Sequence, residues 1–447
     1  GIVASASTDI IGFAALLIAW DFPFIRTIGI TVPIAIAMVF IASLTLIPAI
    51  VVLASKTRLF WWPRGLEKRY VVKRSQVVGW VSRNKWFIAT LFAVLLVPAT
   101  MAYIGFSGSH DIGIYLPEGS ETEAVYALLK DKIGASTLSP VLVVVKLDKR
   151  IDEDGLSIIE DMCKRFEEID HVSIIYSPTR PYGETLENLT MENVEAYNGT
   201  LYIGEDEQYV LIQLLLDVPG ESDEALAVVR EARNIIKEYI SRGIIEEGYV
   251  GGLPAAFVDL DDLLNEYFWH RIIPLSVALM FIALALSLRG LLAAFITMAT
   301  IYLGITGSIW ISSQLFTGFY GKPMLWFLPL VILVVMLGVG VDYNSFYIVR
   351  VRDELEDRKN LKEALSIAAG SSGKLIIGLA IILSSSYAGL LFTRMWAMKE
   401  MGFVLLTGVL LTALSAVYFL TPALIAIFGH RTWYPFKGRK KENEQSR

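Results

Sequence analysis

The sequence predicts a polytopic α-helical membrane protein with eight transmembrane helices and one α+β domain outside the bilayer. Two observations carry that class. Apolar runs of about 20 residues, long enough to span a hydrocarbon core, recur along the chain. Its 447 residues are 54% hydrophobic, with a mean hydropathy of +0.54. Charge is also segregated: Phe106 to Glu266 holds 33 of the 45 acids but only 12 of the 39 bases. The remaining bases flank the apolar runs on one side, which the positive-inside rule makes cytoplasmic. The acidic block then lies outside, and the chain is expected to be multi-pass in the plasma membrane.

The chain opens at Gly1, directly in an apolar run with no leader pattern, so it is expected to continue a longer protein. Residues 1–55 hold two spans, Gly1 to Trp20 and Phe24 to Ala54, with Asp21-Phe22-Pro23 turning between them. Residues 56–85 are a basic cytoplasmic linker, in which Lys56, Arg58, Arg64, Lys68, Arg69, Lys73, Arg74, Arg83 and Lys85 face Glu67 alone. Trp61 and Trp62 read as interfacial anchors. Residues 86–106 span outward, with Pro98 tolerated inside.

Residues 107–268 form the extracytoplasmic domain. Glu121 to Ile133 reads as helix, Leu138 to Leu147 as a Val-rich strand and Glu153 to Glu168 as an amphipathic helix. His171 to Tyr176 and Gln208 to Leu216 read as strands, Ser222 to Ile240 as a helix and Gly248 to Gly251 as a last strand. The order βαββαβ is that of the ferredoxin-like motif. The insertion Ser177 to Glu207 carries two glycosylation acceptors, Asn188-Leu-Thr190 and Asn198-Gly-Thr200.

Residues 269–429 return to the membrane as a five-helix bundle: Ile272 to Leu288, Leu291 to Leu315, Leu325 to Val349, Leu375 to Phe392 and Gly402 to Phe428. Arg350 to Lys374 is expected as a charged, solvated surface helix in the cytoplasm, and residues 430–447 as a basic cytoplasmic tail.

The third of these spans carries Asp342, one of very few acids in hydrocarbon-length apolar sequence. An ionised carboxylate there costs several kcal/mol unless water or a partner receives it, so such a residue points to function. Gly338, Asp342 and Ser345 share one side of a helix, and Tyr343 lies on an adjacent face. Gly338 and Gly340 let another backbone approach. The plainer reading is a polar residue that snorkels to the cytoplasmic edge beside Arg350, about 12 Å along the axis. No Lys or Arg lies in a facing span: Arg289 and Arg394 sit at span ends, and Lys399 in an outer loop. On the next span Ser384, Ser385 and Ser386 extend a polar path or merely fill a helix contact, and Asp9 is a further candidate.

Several classes are excluded or unsupported. His110, His171, His270 and His430 lack metal-ligand spacing, and no cofactor or metal is expected. Cys163 stands alone, so no internal disulfide forms. No phosphate loop of an ATP motor occurs, and no nucleophile–base pair supports an intramembrane enzyme.

The ends of the chain echo each other: Ile47-Pro48-Ala49 before Trp61-Trp62-Pro63 parallels Thr421-Pro422-Ala423 before Trp433-Tyr434-Pro435. Internal repeats of this kind are common in secondary transporters. Together with Gly340-Val341-Asp342-Tyr343, Gly251-Gly252-Leu253-Pro254-Ala255 and Gly408-Val409-Leu410-Leu411, these motifs resemble the RND superfamily, and its MmpL-type (MMPL) exporters most closely. Ser7-Thr8-Asp9 with Gly12-Phe13 resembles the fifth helix of such a protein. The resemblance implies helices five to twelve of twelve: the last two of the first repeat, then the second repeat with its porter domain. It implies that Asp342 and Tyr343 are half of a proton relay whose other acid–tyrosine pair lies in a missing N-terminal half. One departure is Thr412, where many relatives carry an aspartate.

The expected function is proton-motive-force-driven export of lipids or other hydrophobic molecules. The alternative is a lipid- or sterol-sensing or protein-translocation accessory on the same scaffold. Expected partners are membrane lipids, a hydrophobic substrate, protons and the missing half. A homo-oligomer is left open, and no nucleic acid is expected.

Overall fold

The computed structural model describes residues 6, 10–18, 20, 23–55, 74–134, 139–358 and 360–435. The chain divides into two compact units. One holds the residues up to Gly108, Glu266–Thr393 and those from Ala397; the other holds Ser109–Asn265 with Arg394–Trp396.

In the second unit four strands form one antiparallel sheet: β1 (Val141–Lys146), β2 (Val172–Tyr176), β3 (Tyr209–Leu216) and β4 (Glu247–Gly251), in the order β2-β3-β1-β4. Period-two alternation decides which face is covered. Val141, Val143 and Val145 of β1 and Val210, Ile212, Leu214 and Leu216 of β3 are buried in one core. The Glu153–Glu167 and Asp223–Ser241 helices join that core through Leu156, Ile159, Met162 and Phe166 and through Leu226, Val229, Ala232 and Ile236. Each helix starts on a side-chain cap: Asp152 accepts the Gly155 N–H at 2.9 Å, and Ser222 the Ala225 N–H at 3.2 Å.

The insertion after β2 is ordered by charge as well as by packing. Arg180 donates through Nη2 to Glu160 Oε1 at 2.8 Å and through Nη1 to Glu167 at 3.0 Å, while Thr179 donates to Glu160 Oε2 at 2.8 Å. Burial works against the Glu160 charge. The Arg180 hydrogen bonds outweigh it, with Thr179 and Thr185 assisting, and hold this carboxyl below its usual range. The insertion also contains the short Met191–Ala196 helix, and both Asn188 and Asn198 are exposed. Burial pushes the Cys163 thiol up to about 11, so this cysteine is inert.

Seven helical runs among the described residues are long and apolar enough to cross a membrane, against the eight expected. They run over Arg26–Ser55, Lys85–Ile104, Leu253–Leu288, Leu291–Phe319, Leu328–Glu356, Leu361–Phe392 and Trp396–Trp433. Nine of the 20 residues of the expected first span lie outside the described residues. Of it, residues 10–14 are helical and Ala15–Ile18 form a 3-10 turn.

Two expectations are corrected. Arg350 to Lys374 is no separate surface helix. The Leu328–Arg358 helix runs on past the apolar stretch, and the Leu361–Ala388 helix starts well before the expected Leu375. Asn360 caps the latter, its Oδ1 accepting the Lys362 N–H at 3.2 Å. Nor is this charge run simply solvated: Val351, Glu354, Leu355, Ala364 and Leu365 are buried, because apolar residues at helical spacing turn one face inward. The last span is also divided. Its first helix, Trp396–Val417, begins six residues before the expected Gly402; Phe419 breaks it at φ −122°, ψ −85°, and Leu420–Phe428 follows. Pro422 falls in the first turn of that second helix, where a missing N–H costs nothing. Lys85 donates to the Ala426 carbonyl at 2.7 Å, a cation at a helix C-terminus.

Candidate functional site

The Leu328–Arg358 helix sorts its residues by face. Val341, Tyr343, Asn344, Tyr347 and Ile348 are buried, whereas Asp342 and Ser345 are half-buried and Phe346 is exposed. At about 100° per residue, Asp342 looks away from Asn344 and shares its side with Gly338. The Phe13 ring packs over Gly338, where an added Cβ would meet its Cε2 at 3.1 Å. Gly340 faces the Leu291–Ser313 and Trp396–Val417 helices, with Ile301 at 3.0 Å and the Thr412 methyl at 3.4 Å from an added Cβ. A small apolar cavity one turn before the acid is lined by Gly12, Phe13, Ser276, Met280, Leu337 and Gly338.

The expected residues are only partly brought together. Tyr343 adjoins Asp342 in sequence and interacts electrostatically with it and with Tyr387 of the Leu361–Ala388 helix. The serine run does not extend a path from the acid. Ser385 and Ser386 are exposed and donate within their own helix, to the Ile381 carbonyl at 2.7 Å and the Ile382 carbonyl at 3.4 Å. Ser384 is buried, and its hydroxyl has no hydrogen-bond partner among the described residues. Asp9 lies outside the described residues.

Two further polar residues of the bundle, Asn344 and Glu400, escaped sequence reasoning, whereas Tyr347, beside Tyr343 on the helix, was a candidate hydroxyl for the site. The Asn344 amide donates to the Gly340 carbonyl at 3.2 Å and accepts from Thr421 at 2.8 Å. Thr421 lies 3.1 Å from Thr300, oxygen to oxygen. All three are fully buried. The Tyr347 hydroxyl donates to the Leu365 carbonyl at 3.2 Å, and the Thr412 hydroxyl fills the gap left by Gly304. At the other end of the bundle the buried Glu400 accepts the Leu325 N–H at 2.8 Å, just before the Asp342 helix begins. A polar residue inside a span was the available signal for Asn344. Glu400 was hidden by a helix start placed six residues late.

An acid on the half-covered face of a buried helix, in a bundle of membrane-length helices, defines a multi-pass membrane protein. Sequence comparison narrows the class. Residues 1–88 and 115–446 match the profile of the MMPL family, and the chain belongs to that family. It is similar to a membrane protein of Streptomyces coelicolor, at 24% identity over 97% of this chain and 49% of the relative. It is similar to membrane protein YdfJ of Bacillus subtilis, at 22% identity over 97% of this chain and 57% of the relative. Over 48% of its length, and 22% of the relative's, it is 25% identical to the siderophore exporter MmpL5 of Mycobacterium tuberculosis. The chain thus spans about half the length of the first two relatives, at 49% and 57%. Some relatives of this chain, MmpL5 among them, are named as transport proteins.

Proposed function

We propose that this chain is part of a proton-driven exporter of lipids or other hydrophobic molecules, with Asp342 as the proton carrier. One observation carries the reading: Asp342 sits on the half-covered side of the membrane-length, largely apolar part of its helix in an MMPL-family chain. Protonation would remove a charge that the low dielectric disfavours and let the helix repack, the bistable element transport requires. Tyr343, buried next to it, would donate to the carboxylate. The β1–β4 unit, read as a ferredoxin-like porter domain, would stand outside the membrane and receive substrate. Its element order, its antiparallel sheet order and its acidic balance support that reading.

The test is proton flux into vesicles holding the full-length natural protein under an imposed pH gradient. Asp342→Asn keeps the size of the side chain and deletes its titration, so coupled flux should vanish while insertion and folding persist. Wild-type flux in the variant sinks the reading. Orientation is tested by single cysteines in a Cys163→Ser background. An impermeant thiol reagent added outside should reach residues 177–207 and miss residues 56–85, and the reverse pattern overturns the topology.

A further inference from the structure

Asn344 lies two residues beyond the proposed proton carrier, so its side chain projects from almost the opposite side of the helix. Each partner in its neighbourhood has a defined part. A threonine hydroxyl has one proton to give. Thr421 gives its proton to Asn344 Oδ1 at 2.8 Å and Thr300 gives its own to the Ile296 carbonyl at 2.7 Å, so the 3.1 Å contact between the two hydroxyls packs them together without a third directed link. Asn344 Nδ2 passes the direction on to the Gly340 carbonyl at 3.2 Å. The opposite amide orientation would set an oxygen against that carbonyl, so the assignment is forced. The result is a directed hydrogen bond from the Leu420–Phe428 helix to the Leu328–Arg358 helix, with Thr300 of the Leu291–Ser313 helix packed against its donor. Gly340 permits it by leaving room for Ile301, the residue next to Thr300, at 3.0 Å from an added Cβ.

We propose that Thr300, Thr421 and Asn344 together set the rotation of the Leu328–Arg358 helix, making Asn344 a positioning residue for Asp342. The proposal rests on the proton-carrier reading above. None of the three residues titrates, so the anchor holds whether the acid is charged or neutral. A slip of one residue would turn Asp342 by about 100° away from the Gly338 side. An anchor on the back of the helix that ignores charge therefore fixes what the front presents.

Among the described residues, the groups able to disturb Asp342 electrostatically are few. Its own helix brings Tyr343 and Tyr347, the Leu361–Ala388 helix Tyr387, Lys374, Lys362 and Glu363, and the Leu291–Ser313 helix Tyr302. The Ile273–Leu288 and Leu420–Phe428 helices bring none, and the Trp396–Val417 helix only Lys399 and Glu400 at its start. On the Leu328–Arg358 helix itself the remaining charges begin at Arg350. The anchor is neutral among them, so removing it should act on Asp342 through position and local polarity.

The probe is dicyclohexylcarbodiimide, which modifies protonated carboxyls in apolar surroundings. Modification of Asp342 is read by peptide mass spectrometry on the full-length natural protein in liposomes across a pH series, with Asp342→Asn as the blank. Asn344→Leu and Thr421→Val should each raise the half-labelling pH by about half a unit or more, since loss of the anchor favours the neutral acid. The double variant should move no further than the larger single one, because both break one link. Thr421→Ser, which keeps the hydroxyl, should restore the wild-type midpoint. Folded variants with an unchanged midpoint overturn the proposal. If Asn344→Leu does not fold, Thr421→Val against Thr421→Ser decides alone, and equal midpoints in that pair overturn it. Wild-type Asp342 labelled equally at every pH would instead defeat the proton-carrier reading, and this proposal with it.

Discussion

Glu160 and Asn344 are each fully enclosed and each tie separate pieces of chain together, but they use different chemistry. In the sheet unit the tie is ionic: Glu160 meets Arg180 through paired hydrogen bonds, with Thr179 and Thr185 completing the carboxylate's shell. In the helical bundle the tie is neutral, a run of hydroxyls and one amide. The sheet unit can bury this charge because the counter-ion, Arg180, folds in from a nearby loop. Hydrocarbon surroundings make every charge expensive, so helices there are joined by groups that carry none. Asp342 then stands out as the charge-bearing group of its helix's apolar part that the neutral ties do not need. The comparison separates structure from function inside the membrane.

Breaking the ionic tie should have the largest effect on stability. Arg180→Met leaves Glu160 enclosed without its cation, which costs about 3–5 kcal/mol. Urea-dependent cleavage of residues 177–207 by a protease, measured on the full-length protein, should shift to lower urea. Glu160→Leu added to Arg180→Met should recover much of the loss. Acid should mimic the single variant. Glu160 is held below the ordinary carboxylate range, so its contribution is present above that range and disappears as pH falls through the folded value. Protease resistance that is flat down to strongly acidic pH would remove Glu160 from the account.

A crowding test of the neutral bundle comes next. A side chain at Gly304 collides with the Thr412 hydroxyl, and Gly408 lies against the same contact. Gly304→Val should cost about 1–3 kcal/mol by overpacking and lower the melting temperature of the solubilised protein. Adding Thr412→Ala should restore part of it, and no restoration would place the strain elsewhere. The smallest effect belongs to Tyr343→Phe. It removes one hydroxyl, worth about 0.5–1.5 kcal/mol, and should slow proton flux about tenfold at most. A total loss of flux would make Tyr343 as indispensable as the acid.

Much of the molecule was legible in the chain itself. Runs of about 20 apolar residues mark membrane helices because hydrocarbon offers no partner to an exposed backbone. The apolar, β-branched runs at Val141–Lys146 and Tyr209–Leu216 marked two central strands to within three residues, because such side chains suit a pleated surface. Asp342 was conspicuous for the same reason of contrast, a charge in apolar surroundings.

Boundaries and partners were not legible. The Leu361–Ala388 helix extends through charged sequence because its inner face, Ala364, Leu365 and Ala368, is packed, and packing overrides the appearance of a solvated run. Ser384 to Ser386 looked like a path in sequence, yet two of the three hydroxyls close onto their own helix. Thr300, Thr421 and Asn344 are separated by 44 and 77 residues, and no local rule pairs them. Composition and periodicity by themselves determined that this chain enters a membrane, that it carries a strand-bearing segment and which acid stands in apolar sequence. Only the tertiary structure decided what packs around the helix that carries this acid, because its neighbours there, Phe13, Ile301, Thr412 and Thr421, come from distant parts of the chain.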